Sequence, residues 1–402
     1  MQQVDVIVVG AGPGGSTTAF LLARRGWQVL LLDRSPFPRE KTCGDGLTPR
    51  AVATLVRLNA EGVVAQRALR VESARLYASP RADVTLPFDP HVAPLPPRGY
   101  ILPRIVLDDL LRERAVEAGA YFRGNVRVHD VIRREDRVVG VEAQDGAAVQ
   151  RWSAPVTVIA TGAGVGLHRA LGILHKPPHD VRAARGYWKG VRDLAPRFEF
   201  FFTPDVAPGY AWLFPVNEDT ANIGVGVYAP PGTSAPSPHR LLHAFLQRHP
   251  ELRRRLAGAE LIAPVRGYPI RTDYPSHRVC GRGWVMVGEA AGLVNPVTGE
   301  GIDLALESAI LAADAIHTAL SSGDVRRLCA YERALRREFA HTFTGLRRLR
   351  RRVMRPRALE LLIRRARRHP GLATRIMGIT LGTVSPYAAF LPSTWWWILR
   401  GG

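Results

Sequence analysis

The chain has 402 residues, enough to bury a large core, and its 46% apolar and 22% charged content is that of a soluble α/β enzyme. Lys and Arg total 55 against 35 acids, a formal charge of +20, so its surface attracts anions: lipid head groups, nucleic acid or phosphorylated substrates. Three cysteines, at 43, 280 and 329, exclude a disulfide framework and show no metal-ligand spacing, which suits a reducing compartment.

The N-terminus enters a strand at once, so no signal peptide and a cytoplasmic location are expected. Val4 to Val9 is a β-branched apolar run, as in a buried parallel strand. It runs into Gly10-Ala11-Gly12-Pro13-Gly14-Gly15, a G-x-G-x-x-G pattern. A helix is predicted from Ser16 to Arg25 with Gly26 as its C-cap, then a strand from Val29 to Leu32 ending at Asp33.

Each part of this unit has a physical use. Gly10 allows a tight turn, Gly12 lets the backbone approach a pyrophosphate, and Gly15 lets helix and strand pack closely. The helix N-terminus offers free N–H groups to phosphates, and the Asp33 carboxylate accepts hydrogen bonds from a ribose. Pro13 and Gly14 lie in the same cradle, and Arg34 follows Asp33.

Further along, Leu102 to Asp108 opens a helix and carries Arg104. Val156 to Ala160 reads as another buried strand, ending at Thr161-Gly162. Gly162 to Gly166 has the wrong spacing for a second dinucleotide loop. Trp284 to Val287 is a strand leading into Gly288-Glu289-Ala290-Ala291-Gly292. After Asn295-Pro296-Val297-Thr298-Gly299-Glu300-Gly301 comes an amphipathic helix, about Ile302 to Leu320.

Taken in this order, the segments resemble the para-hydroxybenzoate hydroxylase-like flavoprotein superfamily. Pro38 to Arg50, with Cys43-Gly44, and Pro208-Gly209-Tyr210-Ala211-Trp212-Leu213-Phe214-Pro215 are similar to its geranylgeranyl reductase family of FAD-dependent oxidoreductases. The resemblance implies an α/β fold: a Rossmann-like FAD-binding domain interleaved with an antiparallel-sheet substrate domain. It also implies flavin contacts from Arg104, Cys43, Gly44, Thr161, Gly162, Gly299 and Gly301, an adenine contact from Val128, and a ribityl contact from Glu289. Asp is usual at position 289, and the longer Glu asks the backbone to retreat by about an ångström. The family's C-x5-G spacing is absent because position 49 is proline, and one residue fewer separates Pro208 from Tyr210.

The residues support the same substrate class. Tyr210, Trp212 and Phe214 alternate, so on a strand they face one side and form an aromatic wall suited to a polyprenyl chain. The expected reaction is reduction of isolated carbon–carbon double bonds, with hydride from the reduced flavin N5 and Cys43 or Tyr210 as candidate proton donors. Geranylgeranyl lipids or diphosphates, the phytyl precursor of chlorophyll and the menaquinone side chain are all open substrates. Electrons would come from NAD(P)H or a ferredoxin-type donor protein. The alternatives are a flavin-dependent monooxygenase or halogenase, or a lipid- or nucleic-acid-binding protein without catalysis. Thr161-Gly162 lacks the monooxygenase branch's Asp, and no nucleic-acid motif accompanies the arginines.

Twelve arginines lie between Arg347 and Arg375, interleaved with Leu346, Leu349, Val353, Leu359, Leu362 and Ile363, and Trp395-Trp396-Trp397 stand near the end. This basic helical tail is expected to lie on the inner face of the cell membrane as a peripheral anchor. The predicted layout is an FAD domain from 1–75, 100–175 and 270–325. A substrate domain takes 76–99 and 176–269, with Pro80 to Pro97 crossing between layers, and 326–402 forms the tail.

Overall fold

Short β-branched runs align in a six-stranded sheet in the order Cys280–Gly281, Trp284–Met286, Val156–Ile159, Val6–Val9, Val29–Leu32, Tyr121–Arg123. The computed structural model describes residues 2–91, 94–174, 178, 180–229, 233 and 236–399. All pairings in this sheet are parallel except that of Cys280–Gly281. Every residue of its four central strands is buried, because both faces are covered. Helices Pro13–Ala23, Arg104–Glu117 and Ile302–Ser321 pack together on one side. On the other lies an antiparallel sheet of Val126–Arg134, Arg137–Asp145 and Ala148–Ser153, sharing one core with the parallel strands.

The first helix starts at Pro13, three residues before the predicted Ser16. Proline at the first helical turn gives up no hydrogen bond, so Gly14 and Gly15 fall inside the helix rather than in its approach. Arg24 caps it and Gly26 turns away with φ +84°.

A second, seven-stranded sheet has the order Glu260–Pro269, Val181–Lys189, Thr220–Tyr228, Gly209–Pro215, Phe198–Phe201, Ser73–Ser79, Ala82–Pro87. Ser73–Ser79 crosses the predicted boundary between 75 and 76: it pairs parallel with Phe198–Phe201, so those residues belong to this sheet as a whole. The predicted crossing Pro80 to Pro97 is also corrected, since Ala82–Pro87 returns as the edge strand of a hairpin. Strand Gly209–Pro215 is fully buried, and period-two alternation splits it between two cores. Ala211 and Leu213 face helix Pro238–Arg248 through Leu242 and Phe245, while Tyr210, Trp212 and Phe214 face the opposite way.

What covers that aromatic side is the C-terminal region. Helices His341–Val353, Pro356–Ala366 and Pro370–Thr380, followed by Pro392–Leu399, fold back over the sheet. Met354, Leu359, Met377 and Leu381 share a core with Tyr210, Trp212 and Phe214, and Ile363 seats on Ala78 and Ala82. The segment is therefore the roof of the second domain rather than a tail laid apart from it. Its apolar stripe is spent inward, and Arg348, Arg351, Arg355, Arg364 and Arg367 are left on the exposed side. The side chains of Trp395 and Trp397 lie outside the described residues; Trp396 is exposed.

Candidate active site

At the end of strand Val6–Val9 the chain turns through Gly10 at φ +106°, where a methyl group would stand 2.3 Å from the Ala160 carbonyl oxygen. A methyl on Gly15 would meet the Gly10 oxygen at 1.8 Å, so this glycine exists for packing. Gly12 differs: its nearest neighbours would be the guanidinium tips of Arg39 and Arg104, at 3.6 and 3.9 Å. Its backbone thus opens onto free space at a helix N-terminus, the place a pyrophosphate takes. Asp33 closes the loop, accepting from the Ala11 amide at 2.8 Å and from the Ser35 amide at 2.9 Å.

From here one cavity of about 940 Å³ runs through the molecule. Its first stretch is lined by Gly10, Gly12, Pro13, Gly14, Asp33 and Arg34, with Val128 on the far wall. Gly15 alone among the expected cofactor residues does not line it, for the packing reason above. Thr161, Gly162 and Glu289 border the middle, with Glu289 Oε2 3.3 Å from where a Gly162 methyl would sit. Arg104, Cys43, Gly44, Gly299 and Gly301 line it as well. Glycine-lined space beside a helix N-terminus, deep enough for a dinucleotide and continuing to a second helix N-terminus at Gly301, fits FAD. When bound, FAD supplies two-electron redox chemistry.

Arg104 is buried and grips Asp108 through two parallel hydrogen bonds, 2.6 and 2.8 Å, and Arg39 joins the same carboxylate at 3.0 Å. Arg39 also stands 3.9 Å from Asp33, so two guanidiniums and two carboxylates flank Gly12. Lys41 packs its ammonium over the Tyr268 ring at 3.9 Å, also in the cavity wall.

Beyond Cys43 the lining becomes aromatic. Phe198, Phe200, Tyr210, Trp212 and Phe214 pack edge to face or tilted against one another, with centroids 4.9 to 6.4 Å apart. Trp212 lies across its cross-strand partner Gly224, where a methyl would come within 2.2 Å of the indole. Gly44 rests on the other side of that wall, 3.2 to 3.4 Å from Phe214 and Trp212 by the same measure. The apolar lining then continues under the roof through Leu349, Leu359, Leu362, Ile376 and Met377.

The residue beneath Cys43-Gly44 carries no sequence motif of its own. Asp45 is fully buried at φ +68°, a backbone region that few residues other than glycine occupy. Its carboxylate accepts from the Tyr187 hydroxyl at 2.5 Å, from Asn222 Nδ2 at 2.7 Å and from the Arg104 amide at 3.2 Å. Burial pushes its pKa up to about 6 against the pull of these donors and of Arg185. Asn222 also donates to the Cys43 carbonyl at 2.8 Å and accepts from the Trp212 indole at 3.0 Å. One polar chain thus ties the aromatic wall to the cofactor side. Its only local signal was the acid within Cys43-Gly44-Asp45-Gly46.

Near the late motif, Tyr210 donates its hydroxyl to the Thr298 carbonyl and Tyr228 to the Val297 carbonyl. Glu300, also unassigned from sequence, lines the cavity and pairs with the Thr48 hydroxyl. Behind Glu289, Arg271 is buried against Asp273 at 3.0 Å and His168 at 2.5 Å, and its amide donates to Glu289 at 3.3 Å.

A parallel sheet carrying a glycine-turned dinucleotide cradle, joined through one cavity to a second sheet, defines a flavoprotein oxidoreductase. The comparisons narrow this further. A family described as FAD binding domain matches residues 3–344. A menaquinone reductase of Mycolicibacterium smegmatis is 35% identical over 394 residues, 94% of this chain and 91% of that protein. A digeranylgeranylglycerophospholipid reductase of Methanothrix thermoacetophila is 32% identical over 341 residues, 83% of each. A geranylgeranyl bacteriochlorophyll reductase-like structure from Thermoplasma acidophilum shares the fold, with TM-score 0.79, 24% identity and 92% of each chain covered. The chain belongs to the geranylgeranyl reductase family of FAD-dependent oxidoreductases.

Proposed function

We propose that this enzyme reduces isolated carbon–carbon double bonds in the isoprenoid chain of a membrane lipid. The observation that carries the reading is the continuity of the cavity: the dinucleotide cradle opens directly onto the aromatic wall and then onto an apolar tunnel under the roof. The names of the relatives, a menaquinone reductase and a digeranylgeranylglycerophospholipid reductase, support the same class of substrate.

The tunnel suits such a ligand energetically. Burying one methylene is worth about 0.8 kcal/mol, so each five-carbon isoprene unit adds up to roughly 4 kcal/mol. Two or three units would hold the lipid without any head-group contact. Reduced FAD supplies a hydride equivalent to the chain. The protein's part is to place one double bond at the junction of Cys43-Gly44 and Trp212, and to keep water out with Phe198, Phe200 and Phe214. An unactivated alkene has no carbonyl to polarise, so position and dryness carry most of the rate.

The chain's single G-x-G-x-x-G loop is the one in the cradle, so NAD(P)H docking transiently or a ferredoxin-type carrier delivers the electrons. The exposed arginines, with Leu391 and Trp396 also exposed in the same C-terminal region, favour contact with an anionic leaflet from which the lipid enters. Binding to vesicles of anionic lipid, weakening with salt, is the expected result for a peripheral protein on the cytoplasmic face.

The deciding experiment is anaerobic. Enzyme reduced with dithionite is mixed with menaquinone or a digeranylgeranyl phospholipid in detergent, while flavin absorbance and product mass are followed. Reoxidation with a gain of two hydrogens per turnover supports the proposal. A flavin that stays reduced with every isoprenoid until air enters overturns it and favours oxygen-using chemistry.

A further inference from the structure

We propose that Glu300 is the general acid that supplies the proton added to the alkene. This rests on the isoprenoid-reductase reading above. In the reaction the π bond breaks and two C–H bonds form. One carbon takes the hydride, which oxidises the reduced flavin by two electrons. The other takes the carboxyl proton of Glu300, leaving a carboxylate that a proton from bulk solvent restores once the product has left the site.

Four groups with a transferable proton line the cavity around Tyr210, where its cofactor stretch joins the aromatic wall: the Cys43 thiol, the Tyr210 and Tyr228 phenols and the Glu300 carboxyl. The Tyr210 hydroxyl is committed to the Thr298 carbonyl and that of Tyr228 to the Val297 carbonyl, and burial raises both pKa values, so both phenols hold their protons. Cys43 Sγ is turned to the backbone, accepting the Asp45 amide at 3.4 Å. Glu300 is left.

Its surroundings suit the task. Burial raises its pKa well above that of an ordinary glutamate, and the neighbouring Asp303 adds to this, while Thr48 and Arg50 oppose it. The shift favours the protonated carboxyl, the form an acid catalyst needs. The same surroundings receive the charge once the proton has gone. Thr48 shares a hydrogen bond with the carboxyl. Arg50 stands beside it, holding Glu307 at 2.7 Å and Asp303 at 3.8 Å. The N-terminus of helix Ile302–Ser321 begins two residues on. The charged and titratable groups facing Glu300 are therefore Arg50, Asp303, Glu307 and Tyr210.

The test uses the FAD-loaded full chain, wild type beside Glu300→Gln and Glu300→Asp. Infrared spectra in H₂O and D₂O should show a deuterium-sensitive carboxylic-acid C=O band at neutral pH in the wild type that Glu300→Gln lacks. In the anaerobic single turnover, Glu300→Gln should slow flavin reoxidation by the lipid about a hundredfold, and Glu300→Asp should recover part of that loss. Reoxidation of Glu300→Gln at the wild-type rate overturns the assignment, as does a wild-type spectrum whose acid band survives in Glu300→Gln. Should Glu300→Gln fail to retain flavin, the Glu300→Asp spectrum and rate decide: an unshifted acid band with an unchanged rate overturns it. A wild type that never reoxidises with any isoprenoid defeats the substrate reading instead, and the infrared comparison still judges whether Glu300 carries the proton.

Discussion

Asn222 donates a hydrogen bond to the buried carboxylate of Asp45 at 2.7 Å, across 177 positions of sequence. The contact joins a central strand of the second sheet to the Cys43-Gly44 loop of the cofactor domain, and through Asn222 Oδ1 it also holds the Trp212 indole. This carboxylate helps to register the two halves of the cavity, together with the Asn222 bond to the Cys43 carbonyl and the Tyr210 and Tyr228 bonds to Thr298 and Val297.

Asp45 sets a pH dependence of known sign. Its pKa rises from 3.8 to about 6 on folding because burial disfavours the charged form. Between those values the native state binds more protons than the unfolded chain, so the contribution of Asp45 to stability is greatest below pH 3.8 and falls as pH rises to about 6. The contribution is on the order of 3 kcal/mol. Urea unfolding at several pH values should show this decline in the wild type relative to Asp45→Asn, and parallel curves would refute it.

His168 acts in the opposite direction. Burial, with the Arg271 guanidinium beside it, holds the imidazole down at about 4 from 6.5. The unfolded chain therefore binds more protons in that window, and stability present above pH 6.5 is lost as pH falls towards 4. About 3 kcal/mol is at stake. Because Arg271 also donates to Glu289, acid should release flavin before the chain unfolds. Flavin fluorescence rising ahead of the loss of circular dichroism on acidification is the expected sequence.

Gly12 and Gly15 should separate binding from folding. Gly15→Ala places a methyl 1.8 Å from the Gly10 oxygen, so the protein should lose its fold. Gly12→Ala meets nothing closer than 3.6 Å and sits in extended backbone at φ −78°. That variant should fold within about 1 kcal/mol of the apo wild type yet lose most of its FAD, since the methyl enters the pyrophosphate space. Flavin absorbance after purification, with circular dichroism, distinguishes the two.

Met377 lines the tunnel and shares a core with the aromatic wall. Met377→Trp should fill part of that volume and raise KM for a long isoprenoid at least tenfold, while a short prenyl substrate keeps its kcat. Equal losses on both substrates would mean that Met377 serves the fold rather than chain length.

Much of the cofactor half was legible in the chain because its determinants are local. A strand, a glycine turn and a helix need only their neighbours, so Val6 to Asp33 announces its cradle, and period two alone puts Tyr210, Trp212 and Phe214 on one face. Which face of that strand meets a ligand was not local. Asp45, Asn222 and Glu300 carry no motif of their own; they matter because distant segments desolvate them together. The C-terminal region makes the same point. Its sequence declares an amphipathic helical stripe, but a stripe specifies only that something apolar must cover it. Tertiary packing supplied the aromatic sheet as that cover and closed the tunnel, because burying Leu359, Ile363 and Met377 there removes two apolar surfaces from water at once.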